Sequence, residues 1–381
     1  MLLLKSRGNR IGMGALLAIA LTGIAWGRDP GVAPGQSWTL AAHVAVAGDL
    51  QGPGTEYAQR LMDAASSGGW ALCMQLDGAD GVLSRRKLTA GGTVTEEEVG
   101  EAACPEEAIA SLLSSAREFA PADRYVLIVY GHDVRTTPEL EDALTFRAIG
   151  EGATRGIGRA VDLLVLDRCY GACVEALWEL RESVDVLVAA PGRRPSRGIE
   201  WEGIIGHSEP SRYSCTKGLA RRLVRQEEAA AGRGMVALRP RYATEVADAV
   251  GRLVEAMEGR MESVVPVLSR AIGQAGWGGD ERTVDLRGLC GHVASACDGD
   301  IAAAAEATIT AIERSTMAGK DGCDAGPGIS FRTTGALQEE TREPRRSLAD
   351  ETGWTRLVEA YENRLRTLMN RPSRAGSDEA A

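Results

Sequence analysis

A histidine and a cysteine each stand just past an apolar run in this chain. Residues 125–130 read Tyr-Val-Leu-Ile-Val-Tyr and lead into Gly131, His132 and Asp133. Residues 161–166 read Val-Asp-Leu-Leu-Val-Leu and lead into Asp167, Arg168, Cys169, Tyr170 and Gly171. Short β-branched runs of this kind are the signature of buried parallel strands. Open α/β sheets bind ligands beyond the carboxyl ends of such strands. A thiol and an imidazole delivered there by neighbouring strands form a nucleophile and its base. Taken singly, Cys169 reads as a buried strand-end cysteine and His132 as a satisfied loop histidine. The shared placement is what points to chemistry.

The surrounding pattern supplies a scaffold for the pair. Strands are expected over 39–46, 70–76, 125–130, 161–166 and 184–190, with 84–89 as an edge strand carrying Arg85 and Arg86. Gly48, Gly52, Pro53 and Gly54 are expected to break the chain after the first strand. Helices are expected over 56–65, 105–119, 138–149 and 172–181, the second opened by Pro105, which suits a first helical turn. Alternation of strand and helix through this half predicts a doubly wound α/β sheet with helices on both faces. From Arg212 onward the pattern turns helical, over 215–230, 243–257, 262–274 and 301–317. A late strand over 328–333 then precedes a final helix over 354–368.

The chain has 381 residues, a formal charge of −10 and an ordinary apolar content. That negative balance argues against nucleic acid as a partner, and no zinc-type cysteine spacing or phosphate loop is present. Lys5, Arg7 and Arg10 precede an apolar run over 11–26, with Ala25 and Gly27 near its end. This describes a secretory signal or an N-terminal anchor over 1–27, giving an exported chain with membrane attachment through that segment as the alternative to cleavage. A Gly/Pro linker covers 28–37, and the polar residues 371–381 read as a disordered tail. Of eight cysteines, a nucleophilic Cys169 leaves an odd number, so at least one more thiol is unpaired. Cys290 and Cys297 lie seven apart, too far for a disulfide if that segment is helical.

In these residues the chain resembles the clostripain-like cysteine peptidases, which share a fold with caspases and gingipains. The family's strand ending in His and its later strand ending in Asp-Ala-Cys are similar to 125–132 and 161–169. Pro121-Ala-Asp-Arg-Tyr125, Thr283-Val-Asp-Leu286, Gly328-Ile-Ser-Phe331 and Trp354 follow in the family's order. The resemblance implies a caspase-like, mostly parallel sheet flanked by helices over 38–210, with a largely helical C-terminal part over 211–370 on the same domain. It implies an endopeptidase acting on peptides or proteins, with Cys169 as nucleophile and His132 as general base and acid. Backbone N–H groups of Cys169 and Asp133 would hold the oxyanion. No third acidic member is required by the family pattern. No cofactor is expected, calcium being implied by the resemblance alone and no metal ligand assigned.

Two departures bear on activity. Asp133 stands where the family has glycine, which restricts positive φ and puts negative charge beside a developing oxyanion. The family also favours Arg or Lys on the acyl side of the scissile bond, through acidic groups of which Asp167 matches one. The second acid falls on Arg197, in a loop that also carries Arg193 and Arg194. Asp167 and Arg197 are therefore the expected substrate-binding pair, with a preference other than Arg or Lys. The competing function is a weak or inactive homologue that binds peptides or a partner. Relatives that mature by cleavage between His and Cys direct attention to Arg147, Arg155 and Arg159, expected in an exposed Gly-rich loop over 150–158.

Overall fold

The apolar runs pair as parallel strands, and everything else is hung on them. A computed structural model describes residues 37–78, 81–102, 104–132, 144–231, 234–277, 280–319, 327–330 and 347–369. The first half runs β1 (Trp38–Ala45), α1 (Gln51–Gly68), β2 (Ala71–Asp77), β3 (Val82–Leu88), β4 (Val94–Glu101), α2 (Pro105–Phe119), β5 (Arg124–Tyr130), α3 (Phe146–Ile157), β6 (Leu163–Asp167), α4 (Val174–Leu180) and β7 (Leu187–Ala189). The second half continues α5 (Thr216–Ala231), β8 (Val236–Leu238), α6 (Ala243–Glu258), α7 (Met261–Ala275), β9 (Gly276–Trp277), β10 (Asp280–Asp285), α8 (Leu286–Ala296), α9 (Gly299–Ser315), β11 (Thr316–Ala318), β12 (Gly328–Ser330), α10 (Leu348–Thr352) and α11 (Trp354–Met369).

Among the described residues, nine strands form one sheet in the order β11-β8-β7-β6-β5-β1-β2-β3-β4, and β12-β10-β9 form a small second sheet. The central strands β2, β1, β5, β6 and β7 are parallel, and the flanking pairs are antiparallel. Alternate residues of the central strands feed two cores. Leu127, Val129, Leu164 and Leu166 join α2, α3, α4 and α6 on one face. Val126, Ile128, Tyr130, Leu163 and Val165 join α1, α5 and Trp201 on the other. Burial on both faces is why these strands read as continuous apolar runs. The sheet flanked by helices is the α/β fold anticipated from the alternation.

Several local expectations are corrected. Helix α1 begins at Gln51, so Gly52, Pro53 and Gly54 lie inside its first turn, where proline's missing N–H has no partner to lose. Strand β3 is not an edge: β4 pairs outside it, and Arg85 is buried, donating to Gln75 Oε1 at 2.6 Å and Ser111 Oγ at 3.0 Å. The true edge strand exposes Glu96, Glu97 and Glu98, charges that discourage edge-to-edge pairing. Beyond Arg212, the short strands β8 and β11 interrupt the expected run of helices. Three-residue strands carry too little periodicity to be read, yet they complete the main sheet. Val246, Val250 and Leu253 of α6 share a core with Leu177 and Leu187, so the helical part is built on the same sheet.

The Gly-rich stretch after the histidine strand is also corrected. Residues 150–157 are not an exposed loop but most of α3, capped by Thr145, whose hydroxyl accepts from Ala148 N at 3.0 Å. Arg147 and Arg155 therefore sit in a helix. Of the expected helix over 138–149, residues up to 143 lie outside the described residues. The glycines let α3 lie against α2. A Cβ on Gly156 would stand 2.7 Å from the Ala110 carbonyl oxygen and 2.7 Å from Leu113 Cβ.

Alanine ordinarily gains up to about 1 kcal/mol over glycine in a helix. Here the clash should dominate, and Gly156→Ala is expected to destabilise the protein by about 1–3 kcal/mol, the usual range for overpacking. Urea denaturation checks it; a rise in stability would contradict this packing.

Candidate active site

Strands β1, β5 and β6 are consecutive in the sheet and level at their carboxyl ends. Val44 is opposite Tyr130, and Tyr130 is opposite Asp167. His132 and Cys169 each lie two residues past that last pair, on strands whose spacing is about 4.8 Å. The sequence-predicted residues thus emerge side by side at the edge where open sheets bind ligands. Asp133 lies outside the described residues.

The turn Gly48–Leu50 after β1 supplies a residue that sequence reasoning did not find. His132 Nε2 lies 2.8 Å from Asp49 Oδ1, an ion pair when the ring is protonated. The hydrogen bond from His132 holds the Asp49 carboxyl below its ordinary value, so it is a carboxylate and can only accept. Nε2 therefore carries the proton, and in the neutral ring Nδ1 is left as the basic nitrogen. Asp49, His132 and Cys169 come from three neighbouring strand ends. No spacing in the sequence reveals Asp49, because 83 residues separate it from His132.

Cys169 is half-buried at the start of a strained turn. Tyr170 has φ +54°, the one non-glycine residue with positive φ among those described. Such a conformation costs on the order of 1–3 kcal/mol and persists where the surroundings fix it. They do so here: Tyr170 N donates to Gly192 O at 2.9 Å, and Ala172 N to Ala190 O at 2.9 Å. The loop after β7 runs alongside the cysteine turn, and Arg194 N donates to Cys169 Sγ at 3.2 Å. Elsewhere in the chain, burial pushes the Cys73 and Cys290 thiols up, as suits packing groups.

Beneath this edge lies a buried charge cluster. The side chains of Asp167, Arg194 and Glu227 are 0%, 2% and 3% exposed. Arg194 Nε donates to Asp167 Oδ1 at 3.1 Å, and Arg194 Nη2 approaches Glu227 Oε2 at 2.8 Å. Ile199 N donates to the second Asp167 oxygen at 2.6 Å. Burial alone would pull the guanidinium down, but Asp167 and Glu227 outweigh it and hold Arg194 charged. Tyr57 stacks on Tyr130 with ring centroids 4.2 Å apart, and its hydroxyl accepts from Trp201 Nε1 at 2.8 Å. Burial first, and then the Asp167 charge, push Tyr57 far up and Tyr130 up to about 12. Gly198 has φ +68°, and a Cβ there would stand 2.6 Å from Asp167 Oδ2. The loop can close over the carboxylate only with glycine at that position.

The expected pair of Asp167 with Arg197 is not brought together. Arg197 is largely exposed, with Nε 2.5 Å from Glu200 Oε1. Arg194 takes the place beside Asp167. Among the described residues, no group of three or more His, Cys, Asp or Glu side chains could hold a metal ion.

Residues 108–264 match the model of the clostripain family. They form a clostripain-family segment. The match spans both strand ends and bears out the resemblance drawn from them, and with it the class of cysteine-type peptidase. No curated protein is significantly similar to the chain. Among solved structures, a secreted cysteine protease from Bacteroides thetaiotaomicron is 13% identical, with a TM-score of 0.61 over 85% of this chain and 99% of that one. An inactive zymogen protease from Parabacteroides distasonis is also 13% identical, with a TM-score of 0.59 over 87% of this chain and 99% of that one. The Bacteroides thetaiotaomicron secreted protease in complex with an irreversible peptide inhibitor is 14% identical, with a TM-score of 0.54 over 85% and 98%. At these identities the likeness is one of fold.

The buried cluster generates a stability prediction. Asp167→Ala removes one partner of a desolvated pair and is expected to cost about 3–5 kcal/mol, measured by chemical denaturation. A loss below about 1 kcal/mol, the scale of an exposed pair, would contradict the burial.

Proposed function

We propose that this clostripain-family chain is an exported cysteine endopeptidase in which Cys169 is the nucleophile and His132 the general base and acid. The observation that carries the reading is the row formed by Asp49, His132 and Cys169 at one sheet edge. His132 takes the Cys169 proton, and the thiolate attacks the carbonyl carbon of the scissile bond. The tetrahedral oxyanion is held by backbone N–H groups at Cys169 and, by family resemblance, at Asp133. The imidazolium returns its proton to the leaving nitrogen as the C–N bond breaks, which leaves an acyl-enzyme. Water then attacks the thioester, His132 takes its proton, and the thiol and a carboxylic acid are released. Asp49 is a positioning residue that fixes the ring and its tautomer and favours the imidazolium formed in each step.

Export is supported by the basic and apolar pattern of residues 5–27 and by the secreted relative. Residues 1–36 lie outside the described residues, and no helix among the described ones is long and apolar enough to cross a membrane. The preference on the acyl side is for residues other than Arg and Lys, because Asp167 is already neutralised inside the protein.

Two measurements test this reading. Cys169→Ala is expected to abolish labelling by a peptidyl acyloxymethyl ketone, and retained labelling would refute the nucleophile. Asp49→Asn is expected to lower kcat about tenfold or more with KM little changed, read from steady-state kinetics on one peptide substrate. A role in folding alone would lower the amount of active enzyme and leave the turnover per labelled Cys169 site in place.

A further inference from the structure

We infer that Arg194 is a resident cation that fills the acid site beside the nucleophile and thereby sets selectivity for an uncharged side chain next to the scissile bond. The inference deepens the peptidase reading and rests on it for the identity of the reaction. Three observations meet in this one residue.

The first is position. Asp167 lies on β6 two residues before Cys169, and both Arg194 N and Arg194 O contact the Cys169 sulfur, at 3.2 Å and 3.8 Å. A side chain entering beside the nucleophile therefore meets the segment that carries Arg194. The second is charge. Asp167 and Glu227 converge on a single guanidinium, as two carboxylates would on a bound arginine or amidine. An incoming cation finds both acids taken and a like charge in place. An incoming carboxylate meets a cluster that already holds two acids against one base.

The third is the quality of the tie. Arg194 Nη1 is buried with no hydrogen-bond acceptor among the described residues, although Nη2 lies 2.8 Å from Glu227 Oε2. A buried unsatisfied donor costs on the order of 1–3 kcal/mol, more when charged. Apolar side chains hold a loop without that cost. An arginine here does something that packing alone does not require: it neutralises the acids in place of a substrate.

Removing the resident cation should turn the cluster into a guanidinium and amidine site. The probes are benzamidine, read by thermal unfolding, and two acyloxymethyl ketones differing only in Arg or Gln next to the reactive carbonyl. The wild-type protein is expected to show no benzamidine stabilisation and to react with the Gln reagent at least tenfold faster than with the Arg reagent. Arg194→Ala is expected to be stabilised by benzamidine and to react with the Arg reagent at least tenfold faster than wild type. Adding Asp167→Asn to that variant should abolish the benzamidine effect. If Arg194→Ala does not fold, Arg194→Gln, which retains a donor for Asp167, carries the same comparison. Equal wild-type rates with the two reagents, or a folded variant indifferent to both benzamidine and the Arg reagent, would overturn the inference. Benzamidine stabilisation of the variant with no labelling of any protein would support the filled acid site while refuting the peptidase reading.

Discussion

The in-register parallel pairing of β1, β5 and β6 is the constraint on which the site depends. Each strand is buried on both faces, so neither can slip by one residue without sending an apolar side chain across to the wrong core. Tyr130 is thereby held opposite Asp167, and Val44 opposite Tyr130. The chemistry-bearing residues emerge within a few positions of those pairs. Residues only a few positions past a fixed strand end are placed by that strand, and this lets an exposed histidine and an exposed aspartate meet at 2.8 Å. The order of the strands in space converts three distant segments into one row.

The same edge is tied down from below by charge. Asp167 receives Arg194 and the Ile199 amide, while Glu227 of α5 reaches the same guanidinium. Desolvation makes such a cluster a weak source of net stability but a strong source of specificity, since losing any member leaves another buried and unpaired. Here it fixes where the loop after β7 lies, and that loop in turn bears on the cysteine turn and its strained Tyr170. Site geometry and selectivity are therefore coupled through one side chain.

Much of the fold was legible because it rests on local pattern. The runs 125–130 and 161–166 appear as β5 and β6 almost unchanged, and Pro105 does open α2. The misreadings have a common cause. The glycines of α3 suggest a loop when read singly, but they are the price of close contact with α2. The short strands β8 and β11 have no periodicity of their own and exist only because the sheet has an edge to receive them. Arg85 looks like an exposed residue on a sheet edge, but β4 pairs outside its strand and its guanidinium is taken up by Gln75 and by Ser111 of α2.

His132 and Cys169 could be proposed from sequence because a strand end is a local feature, recognisable from the residues around it. The family order of motifs was likewise readable along the chain. Asp49 and the choice of Arg194 over Arg197 were not. Asp49 becomes a partner only when β1 inserts next to β5, and nothing in the turn that carries it differs from an ordinary polar turn. Among the arginines of the 193–197 loop, the sequence offers no reason to bury one rather than another. The backbone path past Gly198 decides it, by pointing Arg194 inward to Asp167 and leaving Arg197 outside with Glu200. Residue type and strand pattern determined what chemistry this chain could carry. Contacts between segments far apart in sequence decided which carboxylate serves the histidine and which arginine fills the acid site.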